Sequence, residues 1–223
     1  IAQVKPAISD AVGCILAGMD AEGTRPVLRV LAAEGGAAEA QVFGTSRRAP
    51  LTAAALANGT AAHALDFDDT SPAWFGHPSV SLAPAIFAAG EKVGASGRDI
   101  VTAYVAGYEA TACLGRRRNP SHYLRGWHAT GTMGAIAAAI AAGKLLGLDV
   151  AQLAAAIGIA ASQSAGLREN FGTDVKPLHA GLAARAGMLS ALLARAGMNA
   201  SATALEGDVG FFRVYSDAPA GAM

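Results

Sequence analysis

Three carboxylates, a hydroxyl and two imidazoles fall between His63 and His77. They lie in the string His63-Ala-Leu-Asp66-Phe-Asp68-Asp69-Thr70 and in the His77-Pro78-Ser79 that follows it. Charged residues make up 15 % of the sequence, against roughly a quarter in ordinary globular domains, so this clustering stands out. If Asp66 and Thr70 share a helical turn, their spacing of four places both on one face. The turn residues Ser71-Pro72 and Gly76 could fold His77 back onto that face. An acid, a hydroxyl and an imidazole brought together in this way can transfer protons.

Two further polar islands interrupt the apolar background. In Arg125-Gly126-Trp127-His128-Ala129-Thr130-Gly131-Thr132, a histidine between glycines precedes the most apolar helical segment. Backbone N–H groups at such a helix start favour an anion. The third island runs from Leu167-Arg168-Glu169-Asn170 to Lys176-Pro177-Leu178-His179. It sets Lys176 just before a proline-initiated helix, near another positive helix end. Two imidazoles, a lysine and a carboxylate at helix starts suit an anionic substrate that must lose a proton. His63, Asp68, Asp69 and His77 match no metal-ligand spacing, so no metal and no cofactor are expected.

The elements that must position these residues read as helices nearly throughout. Val4, Ile8, Val12, Ile15 and Met19 form one amphipathic stripe. Residues 26–34 predict a short helix stopped by Gly35-Gly36. Residues 38–43 predict a brief extended segment. Residues 50–57 and 60–67 predict two short helices broken at Asn58-Gly59, and residues 79–93 a third. Ser96-Gly-Arg-Asp99 and Asp149-Val-Ala-Gln152 resemble capping boxes. They open helices to about Leu114 and Ser164, with another over residues 130–146 between them. The last long helix covers residues 177–196. Leu205 to Tyr215 departs from helical patterning.

Hydrophobic residues are 52 % and aromatics 6 %, with 27 glycines in 223 residues. The core is therefore built from small side chains that let helices approach closely. No linker divides the chain, and one all-α domain over residues 1–223 is expected. Seventeen basic and seventeen acidic residues give zero net charge, which argues against nucleic-acid binding. Arg116-Arg117-Arg118, the one basic cluster, suits a solvated helix C-terminus. Cys14 and Cys113 sit in apolar segments and read as buried thiols. Residues 133–143 are too short to span a membrane, and no signal sequence is apparent. A cytoplasmic protein is expected.

Taken together, the islands resemble one family, MmgE/PrpD. The matching residues are Asn58-Gly59-Thr60, His63 to Thr70, Gly76-His77-Pro78-Ser79 and Gly107-Tyr108-Glu109. They continue through Gly126 to Thr132, Gly166 to Thr173 and Lys176 to Gly181. The family includes 2-methylcitrate dehydratase, cis-aconitate decarboxylase and iminodisuccinate epimerase. The resemblance implies a helical domain facing a smaller α+β lid, metal-free chemistry and a homodimer. It implies that Asp66, Thr70, His77, His128 and Lys176 line a pocket for a small polycarboxylate, whose reaction begins beside a carboxylate. Lys176, His77 and His128 would neutralise negative charge, one imidazole would act as base, and Asp66 would orient it. Thr70, Thr130 and Arg168 are the candidate substrate contacts. The Lys176-Pro177-Leu178-His179 island is closer to the decarboxylase and epimerase branches than to the dehydratases. Family members are longer, so this chain is expected to lack the lid and the returning C-terminal helices. The alternative is an inactive helical remnant that serves dimerisation or ligand binding.

Overall fold

The computed structural model describes residues 3–118 and 120–217. The closing residues 218–223 and the side chains of Arg117 and Arg118 lie outside this description. The architecture is all-α, with one small antiparallel hairpin. The helices are α1 (Val4–Gly18), α2 (Thr24–Glu34), α3 (Leu51–His63), α4 (Ser79–Val93), α5 (Gly97–Arg118) and α6 (Ser121–Leu124). They continue with α7 (Ala129–Leu145), α8 (Val150–Gln163), α9 (Val175–Arg195) and α10 (Phe211–Tyr215). The hairpin pairs β1 (Ala40–Gln41) with β2 (Arg48–Ala49), inside the stretch expected to be extended.

Local chemistry sets several boundaries. Asp149 accepts from the Gln152 backbone N–H at 2.8 Å, while Gln152 Oε1 accepts from the Asp149 N–H at 3.1 Å, a complete capping box for α8. Ser96 and Asp99 make the same reciprocal pair at the start of α5. That helix runs past Leu114 to Arg118, and Arg116 is exposed near its end. Gly35, at φ 66°, terminates α2.

Helix α7 lies at the centre, packed on α4, α5, α8 and α9, and residues 129–143 are all buried. This accounts for its lack of a polar face, because a helix surrounded by protein is apolar all round. Against α9, α3 packs on its own account, and α1 covers α3. From the α1 stripe, Ile15 and Met19 enter the α3–α9 core, and Val4 and Ile8 lie half-buried on a second core. Fully burying a side chain of that size stabilises by about 1.5–3 kcal/mol.

Two expectations are corrected. Asn58-Gly59 does not break a helix, because α3 is continuous through it. The Asn58 side chain accepts from the Phe43 N–H at 3.0 Å and donates to the Gln41 carbonyl at 2.9 Å, tying α3 to the hairpin. At Gly59 a Cβ would stand 2.8 Å from the Gly181 Cα, so the glycine is there for a close crossing with α9 and not for a turn. The segment from Leu205 to Tyr215 is not wholly irregular. Phe211 and Phe212 bury against α7 and α8 and fold the chain into α10, so packing decides where the local pattern does not. Cys14 and Cys113 are half-buried and not fully so.

Candidate active site

The three polar islands meet at one place, and backbone pairing explains how. His77 donates its N–H to Thr130 Oγ1 at 3.0 Å. At Gly76 a Cβ would lie 2.9 Å from the Thr130 nitrogen, so the first island docks against the start of α7. A short antiparallel bridge joins Trp127 to Leu167. Through it the His128 N–H donates to the Gly166 carbonyl and the Arg168 N–H to the Gly126 carbonyl, both at 2.9 Å. The second and third islands are thereby zipped together.

Helix α3 ends at His63, and residues 64–78 form a loop in which Asp66 adopts a left-handed φ of 58°. Asp66 and Thr70 therefore do not share a helical turn. Asp69 accepts from the Ser79 N–H at 3.1 Å and from Ser79 Oγ at 2.8 Å, so it caps α4 from a distance and fixes the exit of the loop. Burial is the main cause that lifts the Asp69 carboxyl above its usual range.

Asp68 is the hub. Its side chain is wholly buried, and both its oxygens lie 3.0 Å from His63 Nδ1. His77 Nδ1 lies 2.8 Å from Asp68 Oδ2. Desolvation alone would raise this carboxyl, but hydrogen bonds and charge from the two imidazoles outweigh it and hold Asp68 well below the usual range. Desolvation likewise pulls His77 down, and the Asp68 carboxylate overcomes it to give a net rise. The expectation that Asp66 orients the imidazole is corrected: Asp68 contacts His77, whereas Asp66 Oδ1 stands 3.8 Å from His77 Nε2.

Asp66 instead pairs with Lys176, its Oδ1 2.6 Å from Nζ across 110 residues of sequence. Burial raises its carboxyl, and the Lys176 hydrogen bond and charge bring it to a net lowering. The His128 ring lies 5.7 Å from that of His63 and meets Phe171 edge-on at 4.8 Å. Its Nδ1 is 3.1 Å from His179 Nδ1. Burial, with help from His63, His179 and Lys176, pushes His128 down to about 2. His128 is thus a neutral imidazole at ordinary pH, which corrects its assignment as a source of positive charge.

Asp66, His77, His128 and Lys176 are accordingly brought together. Thr130 is at the same place, but its hydroxyl holds the His77 backbone. Arg168 stacks over Tyr123 at 3.7 Å, donates to the Tyr123 carbonyl at 2.8 Å, and lies 5.8 Å from the Phe171 ring. Lys176 Nζ is 5.5 Å from that ring, so both cations lie near Phe171. Thr70 is exposed and has no hydrogen bond to this cluster among the described residues. Sequence reasoning missed Asp68 as hub, His63 and His179. One available signal was that His63 and Asp68 bracket a helix end, and another that His179 falls three residues after Lys176 on one helix face.

Ligand atoms of His63, Asp66, Asp68 and His77 all lie within 4.8 Å of one another. Both imidazole Nδ1 atoms lie within 3.0 Å of the Asp68 carboxylate, that of His63 in hydrogen-bonding geometry, and the Lys176 ammonium already sits on Asp66. A metal would need both Nδ1 atoms bare and Lys176 displaced, so the donors fit an ion-paired network better than a metal centre. What remains is a neutral imidazole, a second imidazole with its Nε2 turned from the hub, and an ammonium shared with a half-exposed carboxylate. This arrangement can bind carboxylates and move a proton.

The model of the MmgE/PrpD N-terminal domain matches residues 1–221. The chain is 35 % identical over 179 residues to cis-aconitate decarboxylase of Aspergillus terreus, across 77 % of this chain and 36 % of that protein. The human cis-aconitate decarboxylase is 34 % identical over 176 residues, 76 % of this chain and 36 % of that protein. The cis-aconitate decarboxylase-like protein oryM of Aspergillus oryzae is 34 % identical over 204 residues, 87 % of this chain and 42 % of that protein. The chain thus spans well under half the length of these relatives.

Proposed function

The chain belongs to the MmgE/PrpD family, matched through its N-terminal domain, and from that membership we propose that it binds a small polycarboxylate and transfers a proton beside one of its carboxylates. The observation that carries this reading is the convergence of Lys176, Asp66 and His77, with Nζ 2.6 Å and Nε2 3.8 Å from one Asp66 oxygen. Among elimination of water, loss of carbon dioxide and epimerisation, the relatives named as decarboxylases favour a carboxy-lyase. All three reactions pass through negative charge next to a carboxylate, so they ask the same of the protein.

Lys176 supplies the positive charge. A substrate carboxylate competes with Asp66 for its ammonium, and a largely buried ammonium stabilises a developing carbanion better than one in bulk water. Arg168, also near Phe171, is placed for a second carboxylate. The His77 Nε2 is one proton-transferring atom, because the Asp68 carboxylate lies against the opposite nitrogen and leaves Nε2 to the substrate. His128, being neutral, donates or accepts a hydrogen bond without adding charge. This helical domain forms one wall of the site, and in the longer relatives additional chain is available to form another. The homodimer remains part of the proposal.

A panel assay with cis-aconitate, 2-methylcitrate and iminodisuccinate tests the reading. Turnover of one of them, lost in Lys176→Ala with the fold intact by circular dichroism, is the expected result. Turnover that survives in Lys176→Ala would refute it.

A further inference from the structure

The His128–His179 contact has no part in the scheme above. The two Nδ1 atoms lie 3.1 Å apart and both rings are buried, at 2 % and 6 % exposure. A nitrogen-to-nitrogen hydrogen bond at that distance needs one proton, carried by one ring and accepted by the other. Gly166 lies beside the pair: a Cβ there would make ordinary contact, 3.4 Å from His128 Cβ and from His179 Nδ1. Neither ring donates or accepts any other side-chain hydrogen bond among the described residues.

The two rings also face different spaces. His128 adjoins His63 and Phe171, beside Lys176. His179 lines a groove of about 500 Å³ together with Gln163, Asn170 and Arg185. Asp66, Asp68, His77 and Lys176 do not line that groove.

We propose that His179 is a positioning residue that acts through His128, the pair forming a two-imidazole relay that carries protons between the reacting carbon and the α9 groove. The inference rests on the proposed function, since it takes His128 as part of the reacting site. In the charged-up state His128 carries its proton on Nε2, and His179 donates its Nδ1–H to the bare His128 Nδ1. When the substrate carbon holds an electron pair after losing carbon dioxide, the His128 Nε2–H bond breaks and a C–H bond forms. The His179 Nδ1–H bond breaks as the His128 Nδ1–H bond forms, and His179 Nε2 takes a proton from water in the groove, the hydroxide so formed being taken up by the released carbon dioxide as bicarbonate. Both rings finish neutral, with the hydrogen bond reversed in polarity. Water entering the empty site resets the tautomers by the opposite movement. No step needs an imidazolium, which suits rings held away from solvent.

The test uses the whole chain labelled with 15N-histidine. A through-hydrogen-bond N–N coupling between the two Nδ1 atoms is expected, with shifts showing each Nδ1 protonated part of the time. Absence of the coupling, or a proton fixed on one ring both with and without bound cis-aconitate, would overturn the relay. The variant His179→Asn keeps a partner for His128 Nδ1 but cannot change tautomer. It should leave KM little changed while lowering kcat about 10²-fold, in the range of a lost general acid–base step. It should also slow the entry of deuterium from D2O into product in step with kcat. Wild-type kcat and deuterium incorporation in His179→Asn would refute the relay and leave the proposed function standing. The coupling alone, with no polycarboxylate turned over by the wild type, would refute the function first.

Discussion

The Asp68 carboxylate, closed to solvent between two imidazoles, carries the clearest consequences at the scale of single residues. Its pKa is depressed below the ordinary 3.8 and that of His77 is raised above the ordinary 6.5. The sign of the linkage follows. The depressed carboxyl contributes stability that is present above 3.8 and lost as pH falls through its folded value. The raised imidazole contributes stability that is present below 6.5 and lost as pH rises through its folded value. Urea unfolding of wild type and Asp68→Asn should therefore differ most between those two values and converge outside them; a difference independent of pH would contradict the pairing. Removing the carboxylate altogether, as in Asp68→Ala, should cost about 3–5 kcal/mol, because buried imidazoles lose their partner. Activity should follow the neutral form of His77, rising with pH through the raised pKa. Asp68→Asn should move that rise to lower pH, as desolvation and Lys176 then face only the weaker pull of Asp66. The sequence disclosed which residue types gather here. It could not disclose which carboxylate meets which imidazole, since that depends on Asp66 turning outward at positive φ and Asp68 turning in.

At the scale of elements, the site depends on how closely α3 and α9 cross. Helix α3 delivers His63 from its last turn, and α9 delivers Lys176 and His179 from its first. A Cβ on Gly181 would collide with the Leu56 carbonyl and with Thr60. Gly181→Ala should accordingly cost about 1–3 kcal/mol or more, as overpacking does, and should weaken the Lys176–Asp66 contact. Thermal unfolding and the 15N shift of the Lys176 ammonium check the two effects, and an unchanged melting temperature would count against the tight crossing. Capping boxes, helix-ending glycines and apolar periodicity made most helix boundaries legible. Asn58-Gly59 misled because the same dipeptide that favours a turn also serves a close helix crossing. Local pattern does not separate the two, and only the packed partner does. The short helix at Phe211 was hidden for a similar reason, since its register comes from burial against α7 and α8.

At the scale of the whole molecule, helical periodicity nearly throughout the chain, with no linker to divide it, was enough to predict an all-α architecture. Among the described residues no helix is long and apolar enough to cross a membrane. The site's open side is equally a molecular property: the Asp66 side chain is 56 % exposed, whereas those of His77 and Lys176 are 16 % and 17 % exposed. Charge attraction across that open side is screened, so a tricarboxylate should bind more weakly as salt is raised, with the Debye length falling from about 10 Å at 0.1 M to 3 Å at 1 M. Titration calorimetry at those ionic strengths checks this, and salt-independent binding would argue for a closed site.

Proton transfer beside a carboxylate is tested most directly by turnover in D2O. Product formed from cis-aconitate by loss of carbon dioxide, or from iminodisuccinate by epimerisation, should carry deuterium on the carbon next to a carboxylate when made by the wild-type protein. That label should be lost with Lys176→Ala and with His77→Asn. Unlabelled product, or label that enters equally fast in Lys176→Ala, would contradict the account.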